Sequence, residues 1–316
     1  RDLEAGQIDW FIYRATNGLY GKEGDENSAS LACLTLPLKC PEECFEYFKD
    51  SGDRWIDHTY YKKNNIRTRD ENTVIVRNLD SPDLKAMTFM TQDYAMGAFE
   101  KSDLWNQRRT SMIYWGKDKP CYMRIRCIKN DYDYCSGMVY TAQYKNMMLS
   151  QVGFVTDRGD FHYILDKVFD GKLTAKKLLF RFETGGETEN VKIIREKNNF
   201  IIKDKGITVN LNIYEWVYDG VQGEIKFDEQ EKTIEMVCFD GEERETDINK
   251  LKETYGVFSI TVNGEEVRYN GVSDEEFIGS ELQCEKVKLS VKSPKMPVGF
   301  DYTMEKSCTE VKNETE

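Results

Sequence analysis

Histidine is nearly missing from this chain, whose 316 residues include His58 and His162 and no other. Because imidazole is the side chain whose ordinary pKa lies nearest neutral pH, its scarcity leaves few candidates for general-base catalysis. A packing or surface role explains His58 better than catalysis does, and Asp157 and Asp160 near His162 are better explained as helix caps. Motifs of serine hydrolases, zinc proteases, P-loop proteins and dinucleotide-binding enzymes are missing as well. We therefore expect no catalytic residue and no cofactor; the alternative is a secreted hydrolase that uses His58 or His162.

Long apolar runs and an excess of basic charge are also lacking. No stretch of about 18 apolar residues occurs, so we expect no membrane span. Acidic residues outnumber basic ones by 56 to 44, which gives a net charge of −12. Nucleic acids and anionic membranes are bound by basic surfaces, so this charge argues against both as partners. The chain opens on Arg1 without an apolar segment, and we expect that any signal peptide has been removed.

Cysteine is present, with nine residues, but without the spacing of a metal or redox motif. No pair is separated as Cys-x-x-Cys, and Cys40 and Cys44 have too few histidines in the chain to complete a metal site. We predict no metal, and disulfides formed in an oxidising compartment. The odd count leaves one thiol over, for which Cys308 in the polar tail is the candidate. The sequon at Asn313 predicts glycosylation and agrees with a secreted, extracellular protein.

The hydrophobic pattern changes along the chain and predicts two domains. In the first, Ser81-Pro82-Asp83 has the residues of a helix start, and apolar residues follow it at helical spacing up to Tyr94. A second helical stretch is predicted from about Asp160 to Glu183. From about Val191 to Leu289 the chain has short alternating segments between turn signals, the pattern of a β-sandwich. The predicted class is therefore α+β, with an α+β domain at 1–188, a sandwich at 189–292 and a polar tail at 293–316.

The first domain contains one clear hairpin, "CYMRIRCIKNDYDYCSGMVYTAQY". Its strands flank the turn "KNDYD", and Cys127 and Cys135 are placed to meet across it as a disulfide. Two tyrosines at such a turn expose amphipathic area at low entropic cost, and the acids beside them would complement a basic partner. An ordinary solvated turn is the competing interpretation. We predict a partner-binding site formed by Asn130, Asp131, Tyr132, Asp133 and Tyr134.

The order of these elements is that of the MHC class I heavy chain, and several segments resemble it. "DWFIYRAT" resembles its first strand, and Trp55-Ile56 resembles the start of its first long helix. "LLFRFETGGETE" resembles the close of its second helix, while "TIEMVCFDGEERETD" and "SELQCEKV" resemble strands C and F of its Ig-like domain. The resemblance implies an MHC class I-like platform, an antiparallel sheet with two helical segments, over residues 1–188. An Ig-like β-sandwich would follow over 189–292.

The chain also resembles the secreted yatapoxvirus glycoproteins of MHC class I-like fold that bind tumour necrosis factor. That resemblance implies a viral immune-evasion protein that sequesters a host cytokine, in particular tumour necrosis factor, and blocks receptor engagement. It implies no bound peptide and no β2-microglobulin. The alternative within the same family is a soluble decoy ligand for an NK-cell or T-cell receptor.

One disulfide is predicted from a departure from the family. The strand B cysteine of the Ig-like domain is missing, and the resemblance places Cys238 in strand C and Cys284 in strand F. We therefore predict a bond between Cys238 and Cys284. The alternation of Ile234, Met236 and Cys238 turns Cys238 into the core, but a slip of one residue would turn it outward.

Overall fold

The computed structural model describes residues 53–60, 84–104, 110–116, 120–134, 137–154, 172–247, 249–264, 266–295 and 308–311. Within them the chain forms strands and a single helical turn, α1 (Asn249–Lys252). The strands in chain order are β1 (Arg54–Tyr60), β2 (Leu84–Met90), β3 (Tyr94–Phe99), β4 (Lys101–Asp103), β5 (Met112–Trp115), β6 (Cys121–Lys129), β7 (Tyr132–Asp133), β8 (Gly137–Tyr144), β9 (Met147–Phe154), β10 (Lys172–Gly186), β11 (Lys192–Glu196), β12 (Asn199–Asp204), β13 (Ile207–Tyr218), β14 (Val221–Gln222), β15 (Glu224–Asp228), β16 (Thr233–Asp247), β17 (Tyr255–Val262), β18 (Arg268–Gly271), β19 (Phe277–Gln283), β20 (Val287–Pro294) and β21 (Cys308–Val311).

These strands form three antiparallel sheets. Sheet A has the order β1-β2-β3-β5-β6-β10-β16-β15, with β7 added to β6. Sheet B has the order β11-β12-β13-β17-β9-β8-β4, with β14 added to β13. Sheet C has the order β18-β19-β20-β21. Several neighbouring strands, such as β2 and β3, β8 and β9, and β12 and β13, are joined by hairpins, which is the connection that antiparallel pairing permits.

Sheet B is the middle layer, because its central strands are buried on both faces. Strand β9 is buried at every position, and β8 and β17 at all but one. On one face, residues such as Val139, Met148 and Phe258 join the main core with sheet A. On the other face, Leu149 and Val257 join a second core with sheet C. A strand covered on both sides has a continuous apolar sequence rather than an alternating one, as "MMLSQVGF" shows.

One buried amide joins sheets B and C. The side chain of Gln151, in β9, is 1% exposed. Its nitrogen donates to Ser280 Oγ at 2.7 Å and to the carbonyl oxygens of Ile278 and Val291, each at 3.1 Å. Its oxygen accepts from Ser293 Oγ at 2.6 Å. A buried amide that is satisfied in this way fixes the position of one sheet on the other, because any sliding would leave polar atoms unpaired.

The α+β class predicted from the sequence is wrong for the described residues, which are almost wholly β. Trp55 and Ile56, matched to the start of the first long helix, lie in β1. The helix predicted after Ser81-Pro82-Asp83 is replaced by β2 and β3, which pair with each other. Helical caps are local signals, and here the pairing of these residues with neighbouring strands outweighs them.

The second predicted helix is also corrected, over the part that the structure describes. Residues 172–186 form β10, which pairs with β6 on one side and β16 on the other. The adjacent leucines 178 and 179 break the alternation of a strand, and this made the segment look helical. They lie at a β-bulge: Leu178 pairs with Phe239 and Leu179 with Val237, so Cys238 is an extra residue in β16.

Most strands expected between Val191 and Leu289 do form, but they are divided among all three sheets. The stretch from Leu282 to Leu289, expected as one strand, is instead the end of β19, the turn that contains Cys284, and the start of β20. Strands on both sides of the predicted domain boundary after Thr188 share sheets. Strand β10, which precedes it, pairs with β16, and β9 pairs with β17.

Candidate protein-binding site at the β6–β7 hairpin

The predicted binding loop is the tip of a tight hairpin. Lys129 pairs with Tyr132, so Asn130 and Asp131 form a two-residue turn. Asn130 has a φ of 56°, a left-handed conformation that asparagine adopts more readily than most residues. Its sequence therefore suits the turn that the two strands require.

The tip is also tied to sheet A by the side chain of Asn130. Its Oδ1 accepts from the backbone N–H of Lys176 at 2.8 Å and of Lys177 at 3.3 Å. The backbone N–H of Asn130 donates to the Lys177 carbonyl oxygen at 2.8 Å. These donors lie where the register of β10 and β16 shifts, between Ala175 and Lys177. Asn130 thus supplies hydrogen-bond partners to backbone groups of Lys176 and Lys177 at the point where strand pairing is irregular, and these bonds hold the turn against β10.

A row of alternating charges fixes the base of the hairpin. Asp133 accepts from Arg126 Nε at 2.6 Å, and Arg126 Nη1 donates to Glu183 at 2.9 Å. Arg124 Nε donates to the second oxygen of Glu183 at 2.5 Å. All four side chains are at most 23% exposed, so water screens these pairs less than it screens surface pairs.

The pKa values of this network follow from its geometry. Burial alone would raise the pKa of Glu183, but the charge of Arg124 and the hydrogen bond and charge of Arg126 more than offset it, and the pKa is lowered. Burial alone would lower the pKa of Arg126, but its hydrogen bonds to Asp133 and Glu183 raise it. Glu183 and Arg126 are therefore both ionised at neutral pH.

The two tyrosines of the predicted site have different roles. Tyr134 is fully buried, with its ring 6.3 Å from that of Phe154, and its backbone N–H donates to the Cys127 carbonyl oxygen at 2.8 Å. Tyr132 is 60% exposed, more than any other aromatic side chain whose burial the structure describes. Asp131 beside it is exposed as well. The structure thus keeps Tyr132 and Asp131 as surface candidates, gives Asn130 and Asp133 supporting roles, and places Tyr134 in the core.

The predicted partners Cys238 and Cys284 are not brought together. Cys238 lies in the main core, as its alternation predicts, and the bulge places both it and Phe239 there. Cys284 instead packs against the second core beside sheet C, and both thiols are free. The predicted Cys238–Cys284 bond is therefore not formed, because strands assigned to one sandwich belong to sheets A and C. Burial raises the pKa of the Cys238 thiol well above its usual value.

Other predicted residues have little or no description. Cys127 is buried in β6, while its predicted partner Cys135 lies outside the described residues, as do Asn313 and His162. His58 lies in β1, where its backbone pairs with Ala86.

Sequence reasoning missed the charge network. The alternation of Arg124 and Arg126 with Met123, Ile125 and Cys127 indicates two arginines on one strand face, and this signal was available. Glu183 could not be identified as their partner from the sequence, because it was assigned to a helix and lies 57 residues from Arg126.

Three further findings bear on function. In the described part of the chain, no group of three or more histidine, cysteine or acidic side chains is arranged to hold a metal ion. Among the same residues there is no helix with the length and apolar character needed to cross a membrane. Comparison with protein-family models, curated proteins and solved structures finds no match to this chain.

Proposed function

We propose that this protein is a binding protein that contacts a protein partner through the β6–β7 tip, centred on Tyr132. The observation that carries the proposal is a mostly exposed tyrosine on a turn held by the Asn130 hydrogen bonds and by the Arg126–Asp133 pair. Tyrosine is enriched among residues that dominate binding energy, and a rigid turn loses little entropy on binding. Asp131 adds a negative charge that favours a basic partner surface.

The test compares two hairpin tips of the same molecule. Val221 is 64% exposed beside the turn of Asp219 and Gly220 between β13 and β14, so Val221→Ala is a matched control. We expect Tyr132→Ala to weaken partner binding by about tenfold or more, as for a hot-spot residue. Val221→Ala should bind like the wild type. Equal affinity of all three proteins for a partner captured by the wild type would contradict the proposal.

The partner that we propose is a host cytokine, in particular tumour necrosis factor, bound by a secreted viral protein. This narrower proposal is supported by the sequence resemblance alone and draws no support from the fold. Immobilised wild-type protein is exposed to a panel of cytokines and of NK-cell and T-cell receptors at nanomolar concentration. Retention of tumour necrosis factor with loss in Tyr132→Ala supports it, whereas retention of a receptor supports the decoy alternative.

The two alternatives have their own requirements. The receptor decoy was expected to engage through two platform helices, and the described residues assigned to them are strands β1, β2, β3 and β10. The hydrolase would require His58 or His162. If replacement of both histidines by alanine left the biological activity unchanged, the hydrolase alternative would be excluded.

A further inference from the structure

A cysteine, a lysine and an aspartate meet where sheets A and B join. Cys121 begins β6 in sheet A and is fully buried, and its thiol is free. Lys205 Nζ lies 3.3 Å from Cys121 Sγ, although the two residues are 84 positions apart. Asp204 Oδ2 lies 3.3 Å from the same sulfur and 3.5 Å from Lys205 Nζ.

The backbone on both sides holds this contact in place. Asp204 pairs with Ile207 in the β12–β13 hairpin, so Lys205 and Gly206 form its two-residue turn, with φ of 48° and 80°. The Asp204 side chain is 2% exposed, and it also accepts a hydrogen bond from Trp115 Nε1 at 2.9 Å. The Cys121 thiol is within 3.0 Å of the Glu187 carbonyl oxygen. Cys121 Sγ and Lys205 Nζ are therefore held close together, and only a small displacement would bring them to bonding distance.

The polar groups of this cluster fit an oxidative reaction better than a metal or a disulfide. The Cys121 thiol forms no disulfide, and the side chains that hydrogen-bond to its sulfur are one carboxylate and one amine. Burial raises the pKa of the Cys121 thiol to about 11, and the hydrogen bond with Asp204 adds to the rise, so the thiol is protonated at neutral pH. Asp204 Oδ2 is placed to accept that proton when the sulfur reacts. Lys205, which contacts the sulfur, is 29% exposed, so the cluster reaches the protein surface at this side chain.

We infer that Cys121 and Lys205 are a modification site, at which peroxide produces a covalent Sγ–Nζ crosslink between sheets A and B. In the first step the peroxide O–O bond breaks; one oxygen joins Sγ as a sulfenic acid and the other leaves as water. In the second step the Lys205 ammonium gives a proton to Asp204 Oδ2, the amine so formed displaces the hydroxyl from Sγ, an S–N bond forms, the S–O bond breaks, and a second water leaves. The sulfur is oxidised, one peroxide is reduced, and the protein loses two hydrogen atoms in all.

The test treats the full chain with hydrogen peroxide and maps its peptides without a reductant. We expect a linked pair of peptides, joined at Cys121 and Lys205, whose mass is lower than the sum of the two by two hydrogen atoms. A thiol reductant should return the separate peptides. Because the link closes a long loop of the unfolded chain, the Tm of treated protein should rise by roughly 5 °C or more.

Variants separate this reaction from general oxidation. Lys205→Arg keeps the positive charge but removes the amine, and should give neither the linked peptides nor the rise in Tm. Lys197, which is exposed at the β11–β12 turn with a φ of 58°, provides the matched control, since Lys197→Arg should still form the link. Recovery of Cys121 as a thiol, or as sulfinic or sulfonic acid without linked peptides, would overturn the inference. So would an equal rise in Tm for Lys205→Arg.

Discussion

Replacement of Gln151 by methionine tests the three-layer arrangement directly. Methionine has a similar volume and suits the buried position between sheets B and C, but it cannot replace the amide hydrogen bonds. The hydrogen bonds to Ser280, Ser293 and the carbonyl oxygens of β19 and β20 all involve this one side chain. If the sheets pack as described, the variant should be strongly destabilised.

The size of the effect follows from the number of contacts. The two amide protons make about two well-formed hydrogen bonds, each contributing about 1 kcal/mol net. The hydroxyl of Ser293, which is 3% exposed, would lose the acceptor that it has in Gln151, at a cost of about 1–3 kcal/mol. The free energy of unfolding should therefore fall by about 3–5 kcal/mol, reduced by whatever relaxation the site allows.

Urea unfolding of both proteins, followed by circular dichroism, measures this difference. Amide hydrogen exchange locates it, and protection should be lost first in β19 and β20. Gln283→Met is the control, since Gln283 is exposed on β19 and should change stability by less than about 0.5 kcal/mol. If Gln151→Met proved as stable as Gln283→Met, the contact between sheets B and C would be refuted.

Two further predictions concern the candidate site and the turn after β10. Glu183 has a pKa below its unfolded value, so it stabilises the fold above that value and loses this contribution as pH falls through the folded pKa. The stability advantage of the wild type over Glu183→Gln should therefore be present at pH 7, decline as pH falls below the unfolded pKa of about 4.3, and be lost once pH is below the folded pKa in urea titrations. An advantage independent of pH would contradict it. Gly186 has a φ of 83°, and an added Cβ would lie 2.3 Å from the Pro120 carbonyl oxygen, whereas Gly206 has a φ of 80° and open space. Both alanine variants carry a backbone cost of about 1 kcal/mol, but Gly186→Ala should lose roughly 2 kcal/mol more in unfolding experiments, and equal losses would argue against the close contact.

The candidate site could be predicted only in part. The turn at Asn130 and Asp131 follows from residue types that favour two-residue hairpins. Of the two tyrosines predicted at its tip, Tyr132 lies beside the turn and is exposed, whereas Tyr134 is in the core. The different roles of Tyr132 and Tyr134 could not be predicted, because both lie on the same side of the strand by alternation. Tyr134 is buried because sheet B supplies Phe154 to cover it, whereas Tyr132 lies two residues farther out and is 60% exposed.

The sequence by itself determined where most strands lie after Val191, because alternation and turn residues are local properties of the chain. The tertiary structure alone decided that residues 84–99 and 172–186 are strands and which sheet each strand joins. The adjacent Leu178 and Leu179, which suggested helical spacing, are accommodated in a strand by a bulge at Cys238 in β16, and this bulge depends on the pairing of β10 with β16. The amide of Gln151 reaches Val291, 140 residues away. Contacts over such separations leave no periodic pattern in the sequence, so the order of the layers is decided by packing and hydrogen bonding between distant segments.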